Sequence, residues 1–229
     1  MKIICFGDSV TRGVSYVRGR LRILKETYPS ILQELLGDQN EVINKGVFND
    51  NSDLLLKRLD KDVISEKPDV VLIQIGGNDC NFHWDEVAKH PEDNHEPIVP
   101  LDRYLNNVKR TIERIKGIGA VPVLSTLLPL DPKRYYEYIS RINNKSIAQW
   151  IAACGGIEHW HGMYNRALKQ LIKSEDILSI DVRTAFKESD DLSVLLNDDG
   201  IHPSPKGYTA MAKIFKRGLR NLKTEIAKV

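Results

Sequence analysis

Long apolar runs are missing from this chain of 229 residues. Nothing approaches the roughly 18–20 consecutive apolar residues of a membrane-spanning helix, and the start MKIICFGDS has one Lys and too short an apolar stretch for a secretory leader. No membrane span is expected. Cysteine is scarce: Cys5, Cys80 and Cys154 are odd in number, far apart and without a CxxC, which excludes a disulfide framework and fits reduced thiols in a cytoplasmic protein. Neither sign of charge dominates, with 33 Lys and Arg against 31 Asp and Glu and a net charge of +2. The chain therefore lacks the field that would hold nucleic acid. Repeats, low-complexity tracts and linkers are also absent, so residues 1–229 read as a single domain.

Short β-branched runs are plentiful. Residues 2–6, 70–75, 121–126 and 177–180 read as buried strands, with a weaker one at 41–44. Between them, helical spacing covers 21–36, 52–65, 101–116, 144–173 with a break at Gly155-Gly156, and 206–228. This alternation predicts a three-layer α/β/α sandwich on a mostly parallel sheet, with its ligand site beyond the carboxyl ends of the strands. Two stretches break the rhythm, residues 80–100 and 128–143. Both follow predicted strand ends, so both are expected to be insertions that cover the site.

The strand-end loops hold chemistry-bearing residues. Gly7-Asp8-Ser9 places a hydroxyl where the first strand turns toward a helix, beside unpaired backbone N–H groups. Taken alone it reads equally well as a capped polar turn. Asp199-Gly200-Ile201-His202-Pro203 sets a carboxylate three residues from an imidazole, close enough to fix its tautomer, although a plain helix entry has the same look. Gly76-Gly77-Asn78-Asp79 and Asn44-Lys45-Gly46 follow two further strands, and each alone is an ordinary turn. Together the four loops offer a nucleophile, a base with its orienter, and hydrogen-bond donors.

In these four ordered blocks the chain resembles the SGNH or GDSL hydrolase family, and the match spans its full length. The resemblance implies a flavodoxin-like sheet and a serine hydrolase that cleaves carboxylic esters without cofactor or metal. It further implies Ser9 as nucleophile, His202 as base and Asp199 as its partner. The Ser9 N–H, Gly46 N–H and Asn78 amide are implied as the oxyanion hole. Two departures stand out: Val10 replaces a Leu, and Asn49 stands where the second block often has another Gly. Asp8 and Asp79 are read as loop scaffolding, since an anion beside a forming oxyanion opposes the reaction.

The expected substrate is a small ester, with a short acyl group, acetyl above all, on a sugar or similar small alcohol. A thioesterase or lysophospholipase is the alternative within the family. A non-catalytic α/β binding module is the alternative outside it. His83, Trp84 and Trp160 are candidates to line the substrate pocket. His83, His90, His95, His159 and His161 lack metal-ligand spacing, so no metal is expected. Cys80 has no base placed for it and reads as a buried thiol, and the basic stretch at 213–223 reads as a solvated helix face. A homo-oligomer is left open.

Overall fold

The computed structural model describes residues 1–141 and 143–222. Five parallel strands form the central sheet: β1 (Lys2–Gly7), β4 (Glu41–Gly46), β5 (Val70–Gln74), β6 (Val121–Ser125) and β7 (Ser179–Ile180), in the order β4-β1-β5-β6-β7. Numbered along the chain this is 2-1-3-4-5, the flavodoxin-like winding, in which the order reverses at β1 and a crevice opens above its carboxyl end. β1, β5 and β6 are covered on both faces, so they read as nearly unbroken apolar runs.

Alternation along β1 and β5 sends successive side chains into two cores. Ile3, Cys5, Val70 and Leu72 meet α2 (Tyr28–Leu36) and α11 (Pro205–Asn221) through Leu32, Met211 and Phe215. Ile4, Phe6, Val71 and Ile73 meet α3 (Ser52–Asp62), α5 (Leu101–Lys116) and α8 (Ile157–Ser174) through Leu59, Ile112 and Leu168. On α5 the buried Tyr104, Val108, Ile112 and Ile115 recur at three- and four-residue intervals, the stripe that sequence periodicity anticipates. A third apolar cluster lies apart from the sheet. It joins Phe82 and Val87 from the first insertion to Leu130, Tyr135 and Ile139 from the second and to Trp150 on α7 (Asn144–Ala153). Each insertion carries a short helix, α4 (Trp84–Lys89) and α6 (Pro132–Ile139).

The helix expected over 21–36 is half wrong. Its first part is a strand, β3 (Arg20–Ile23), paired antiparallel with β2 (Val14–Val17) across a two-residue turn. Arg18 and Gly19 both adopt positive φ, 52° and 75°, as the twist-matched hairpin turn requires, and the glycine makes this inexpensive. The helix begins only after Thr27, whose side chain and that of Ser30 form a reciprocal capping box. The helix expected over 52–65 ends at Asp62 and gives way to one 3-10 turn, Ile64–Glu66. Residues 223–228 of the last expected helix lie outside the described residues. The short helices α1 (Ser9–Arg12), α9 (Val182–Ser189) and α10 (Leu192–Leu195) were not anticipated by sequence periodicity.

Candidate active site

Ser9 opens α1 directly above β1. Asp8 caps this single turn by accepting the Val10 N–H at 2.9 Å, and the Ser9 N–H at the helix start has no protein acceptor among the described residues. Across the crevice, the loop before α11 is folded by Asp199. Its Oδ1 accepts the backbone N–H of Ile201 at 3.2 Å and of His202 at 3.1 Å, while Oδ2 faces His202 Nδ1 at 2.6 Å. His202 Nε2 then meets Ser9 Oγ at 3.0 Å. All three side chains are buried, Asp199 completely. Sequence reasoning brought these three residues together, and the structure places them in one hydrogen-bonded line. Such a line can take a proton from the serine while the carboxylate stabilises the imidazolium.

The hairpin that sequence reasoning missed braces this loop. Ser15 on β2 donates to the Pro203 carbonyl at 2.9 Å, Asn197 Nδ2 donates to the same carbonyl at 2.8 Å, and Tyr208 donates to the Val14 carbonyl at 2.6 Å.

The oxyanion side differs from expectation at one position. The Gly46 N–H is taken by Asn44 Oδ1 at 2.8 Å, so it is not free to meet a substrate oxygen. Gly46 is instead a close-approach residue: a Cβ there would lie 2.1 Å from the Arg12 backbone nitrogen. The loop beyond it turns at Asn49, which holds a left-handed φ of 61° and whose N–H has no protein acceptor among the described residues. Asn is among the few non-glycine residues that tolerate this conformation. The signal was therefore visible in the sequence, where Asn49 replaces a family glycine. Asn78 Nδ2 donates to the Asp50 carbonyl at 2.7 Å, which ties this loop to the end of β5; among the described residues its second amide hydrogen has no acceptor. Arg58 holds the same region from below: it binds Asp50, Asp62 and the carbonyls of Lys45 and Gly7, and it stacks on Phe6. No sequence pattern singled out Arg58.

Burial raises the Asp8 carboxyl to about 7, against the pull of the Val10 N–H and His202. Burial also raises Asp79 to about 6; its Oδ1 accepts the Ser52 N–H, while Oδ2 has no hydrogen-bond partner among the described residues. Both residues scaffold loops, and burial holds both carboxyls well above the ordinary carboxylate range. The Cys80 thiol is pushed far up by burial and donates to the Gly77 carbonyl, which suits an inert thiol.

Beside Ser9 and His202 lies a partly open cavity of about 90 Å³. Its walls include Phe82, Trp84, Leu130, Tyr135, Trp150 and Trp160. Phe82 is the hub, with ring centroids 5.5 Å from Trp84, 5.6 Å from Trp150 and 5.3 Å from Trp160. Of the three pocket candidates from sequence, Trp84 and Trp160 are in the wall, whereas His83 is exposed at the start of α4. His161, adjacent to the candidate Trp160, also lines it, whereas Phe82 and Trp150 were not singled out, because nothing local marks residues so distant in sequence as neighbours. His161 takes a hydrogen bond from Arg183 at Nδ1, 3.0 Å away, and burial with that adjacent charge lowers its pKa to about 3. Among the described residues, no group of three or more His, Cys, Asp or Glu is placed to hold a metal ion.

A flavodoxin-like sheet carrying this line of Ser, His and Asp at its switch point defines the class of α/β hydrolases with a serine at the strand edge. The sequence profile of the GDSL-like lipase/acylhydrolase family matches residues 5–210, and the chain belongs to that family. It is a carboxylic ester hydrolase. An acetylxylan esterase of Geobacillus stearothermophilus is 26% identical over 235 residues, spanning 94% of this chain and 92% of that protein. A human isoamyl acetate-hydrolyzing esterase 1 homolog is 25% identical over 221 residues, spanning 90% and 76%. The crystal structure of a lipase/acylhydrolase from Enterococcus faecalis shares the fold, with a TM-score of 0.67 and 22% identity over 96% of this chain and 95% of that one.

Proposed function

We propose that the protein hydrolyses small carboxylic esters through an acyl-enzyme on Ser9, with a short acyl group, acetyl foremost, on a sugar or small alcohol. The continuous hydrogen-bonded line from Asp199 through His202 to Ser9 carries this reading. Ser9 Oγ attacks the ester carbonyl as His202 Nε2 takes its proton, and Asp199 stabilises the imidazolium formed. The Ser9 N–H, the uncommitted Asn78 amide hydrogen and the Asn49 N–H receive the oxyanion, with Asn49 in the place first assigned to Gly46. His202 then gives its proton to the departing alcohol and activates the water that releases the acid.

Two observations support a short acyl group. The names of two relatives, the acetylxylan esterase and the isoamyl acetate esterase homolog, share acetate while differing in the alcohol. The cavity beside Ser9 is also smaller than the roughly 150 Å³ that accommodates one benzene ring. The test is turnover of p-nitrophenyl acetate, butyrate and octanoate by wild type and Ser9→Ala, with fluorophosphonate labelling of both. Acetate should be cleaved best, Ser9→Ala should lose on the order of 10⁶ in kcat, and label should attach only to wild type. Equal labelling of the variant removes Ser9 as nucleophile, and preference for octanoate removes the short-acyl reading.

A further inference from the structure

Behind the aromatic wall, a half-buried cation fixes the state of a histidine that faces the cavity. Arg183 follows the carboxyl end of β7, where its backbone N–H donates to Thr126 Oγ1 at 3.0 Å. Its guanidinium Nη1 donates to the Leu128 carbonyl at 3.3 Å and to His161 Nδ1 at 3.0 Å. A guanidinium has only donors, so Nδ1 must accept and the ring proton resides on Nε2. Burial and the charges of Arg183 and Lys187 oppose a second proton, which keeps the ring neutral near neutral pH.

Nε2 has a different setting. Among the described residues it has no protein acceptor, yet protein does not seal it off as it seals the unpartnered Gln74 Oε1 and Trp150 Nε1. Ile157, Trp160 and His161 stand three and four residues apart on α8 and all line the cavity, so this face of the helix is turned to it. Other polar side chains of the wall are engaged with protein: Asn81, Tyr135 and Trp84 bond to one another, and Asn78 holds the Asp50 carbonyl. Arg183 is also placed at a cost. Buried cations are normally met by a carboxylate, but among the described residues no carboxylate oxygen lies within 4.0 Å of this one; Asp181 pairs with Lys169 and Glu158 with Lys187. A histidine that only packs needs neither the cation nor the open nitrogen. A histidine held as a donor toward a ligand uses both. No Lys or Arg lines the cavity, so the donor is offered without a charge and suits an uncharged acceptor; a carboxylate would lose its water for one neutral N–H.

We propose that His161 is a specificity-determining residue whose Nε2–H hydrogen-bonds a second acceptor oxygen of the substrate, an ether, ketone or further ester oxygen on the part that enters the cavity. Arg183 acts through it, as a positioning residue that fixes the tautomer. The proposal rests on Ser9 hydrolysing small esters.

The experiment compares kcat/KM within two pairs in which one oxygen replaces one methylene. Butyl acetate and 2-methoxyethyl acetate read the alcohol side; ethyl pentanoate and ethyl 3-methoxypropanoate read the acyl side. From wild type to His161→Phe, the oxygen-to-methylene ratio should fall about tenfold in one pair, because an N–H left unpaired in an apolar wall costs on that order. Taking the ratio across both proteins cancels inductive and solvation differences between the esters. Melting temperatures check the fold. Ring-nitrogen NMR of Ser9→Ala at pH 7 should show a protonated Nε2 and a bare Nδ1, with the Nε2–H signal moving downfield for the oxygen ester of that pair and not for its methylene partner. Arg183→Met in the same background should shift part of the proton to Nδ1, which a purely structural role would not do. Unchanged ratios in both pairs overturn the proposal. So does a proton on Nδ1 in Ser9→Ala, or an Nε2–H that answers both esters of each pair alike, even where the His161 variant fails to fold. Absence of turnover on every ester, with wild-type Ser9 unlabelled by fluorophosphonate, instead overturns the underlying hydrolytic reading and the substrate role of His161 with it.

Discussion

Replacing Asp199 by Asn changes one atom, and the local geometry dictates which way the amide turns. Oδ1 of Asp199 is held by two backbone N–H groups, those of Ile201 and His202, while Oδ2 faces His202 Nδ1. With the NH₂ toward the backbone, two donor pairs would meet near 3.1 Å, so the amide oxygen stays there and the NH₂ turns to the imidazole. Nδ1 must then accept, the ring proton moves to Nε2, and His202 presents a donor to Ser9 where it needs an acceptor. The serine proton has no destination. The expected loss in kcat is about 10⁴, the scale observed when this orienting carboxylate is amidated in a serine protease, or roughly 5.5 kcal/mol at 1.36 kcal/mol per decade. Because the turn keeps its backbone bonds, KM should change by less than about threefold. The assay is steady-state hydrolysis of p-nitrophenyl acetate beside Ser9→Ala as background. A kcat within tenfold of wild type would refute the tautomer argument and show that some other group orients the ring.

Asn78→Ala should lower kcat by about 10²–10³ with little change in KM, because its amide meets an oxygen that is charged only in the transition state. A drop in melting temperature with kcat intact would reduce Asn78 to the tie with the Asp50 carbonyl. Gly46→Ala forces a Cβ to 2.1 Å from the Arg12 nitrogen, so it should cost about 3 kcal/mol or more in denaturant unfolding. A neutral effect would show that α1 and β4 are not in close contact. Asp8 is raised from 3.8 to about 7 by burial, so its stabilising protonated form is fully present below about pH 4 and is lost as pH rises through 7. Asp8→Asn, which keeps the acceptor for the Val10 N–H, should therefore gain on the order of 3 kcal/mol relative to wild type between pH 5 and 8. Parallel stability curves would place the Asp8 pKa near its ordinary value.

Strands were legible in the sequence wherever burial on both faces demanded unbroken β-branched runs, as at residues 70–75. The helix at 101–116 was legible because one face alone is apolar. The hairpin was not, since Leu21 and Ile23 also satisfy a helical spacing with the apolar residues of α2, and only the left-handed pair Arg18-Gly19 separates the two readings. The line of Ser9, His202 and Asp199 could be assembled because each member lies in a short loop of distinctive composition. Gly46 misled for a physical reason: glycine serves both free N–H presentation and close approach, and here the approach of α1 to β4 decides which. The cavity wall was legible only in part, at Trp84 and Trp160, since Phe82, Tyr135 and Trp150 become neighbours through tertiary packing alone.

Reactivity and substrate choice are anchored largely in different parts of the molecule. The catalytic line stands on strand ends fastened by Arg58 beneath the Asn49 loop and by Ser15 and Asn197 beneath the His202 loop, all tied into the sheet and its two cores. The walls of the cavity beside Ser9 belong to a third apolar cluster built largely from the two insertions. The two regions meet at Trp160, which packs on both clusters, and where the Asp131 N–H donates to the Gly200 carbonyl beside His202. Residues that share partners in this way are coupled, whereas distant ones act nearly independently. Substitutions at Trp150 should therefore alter which ester is accepted with less disturbance of the Ser9 to His202 geometry than substitutions at Leu130, next to that tie, whereas a cut at Arg58 should slow every ester alike.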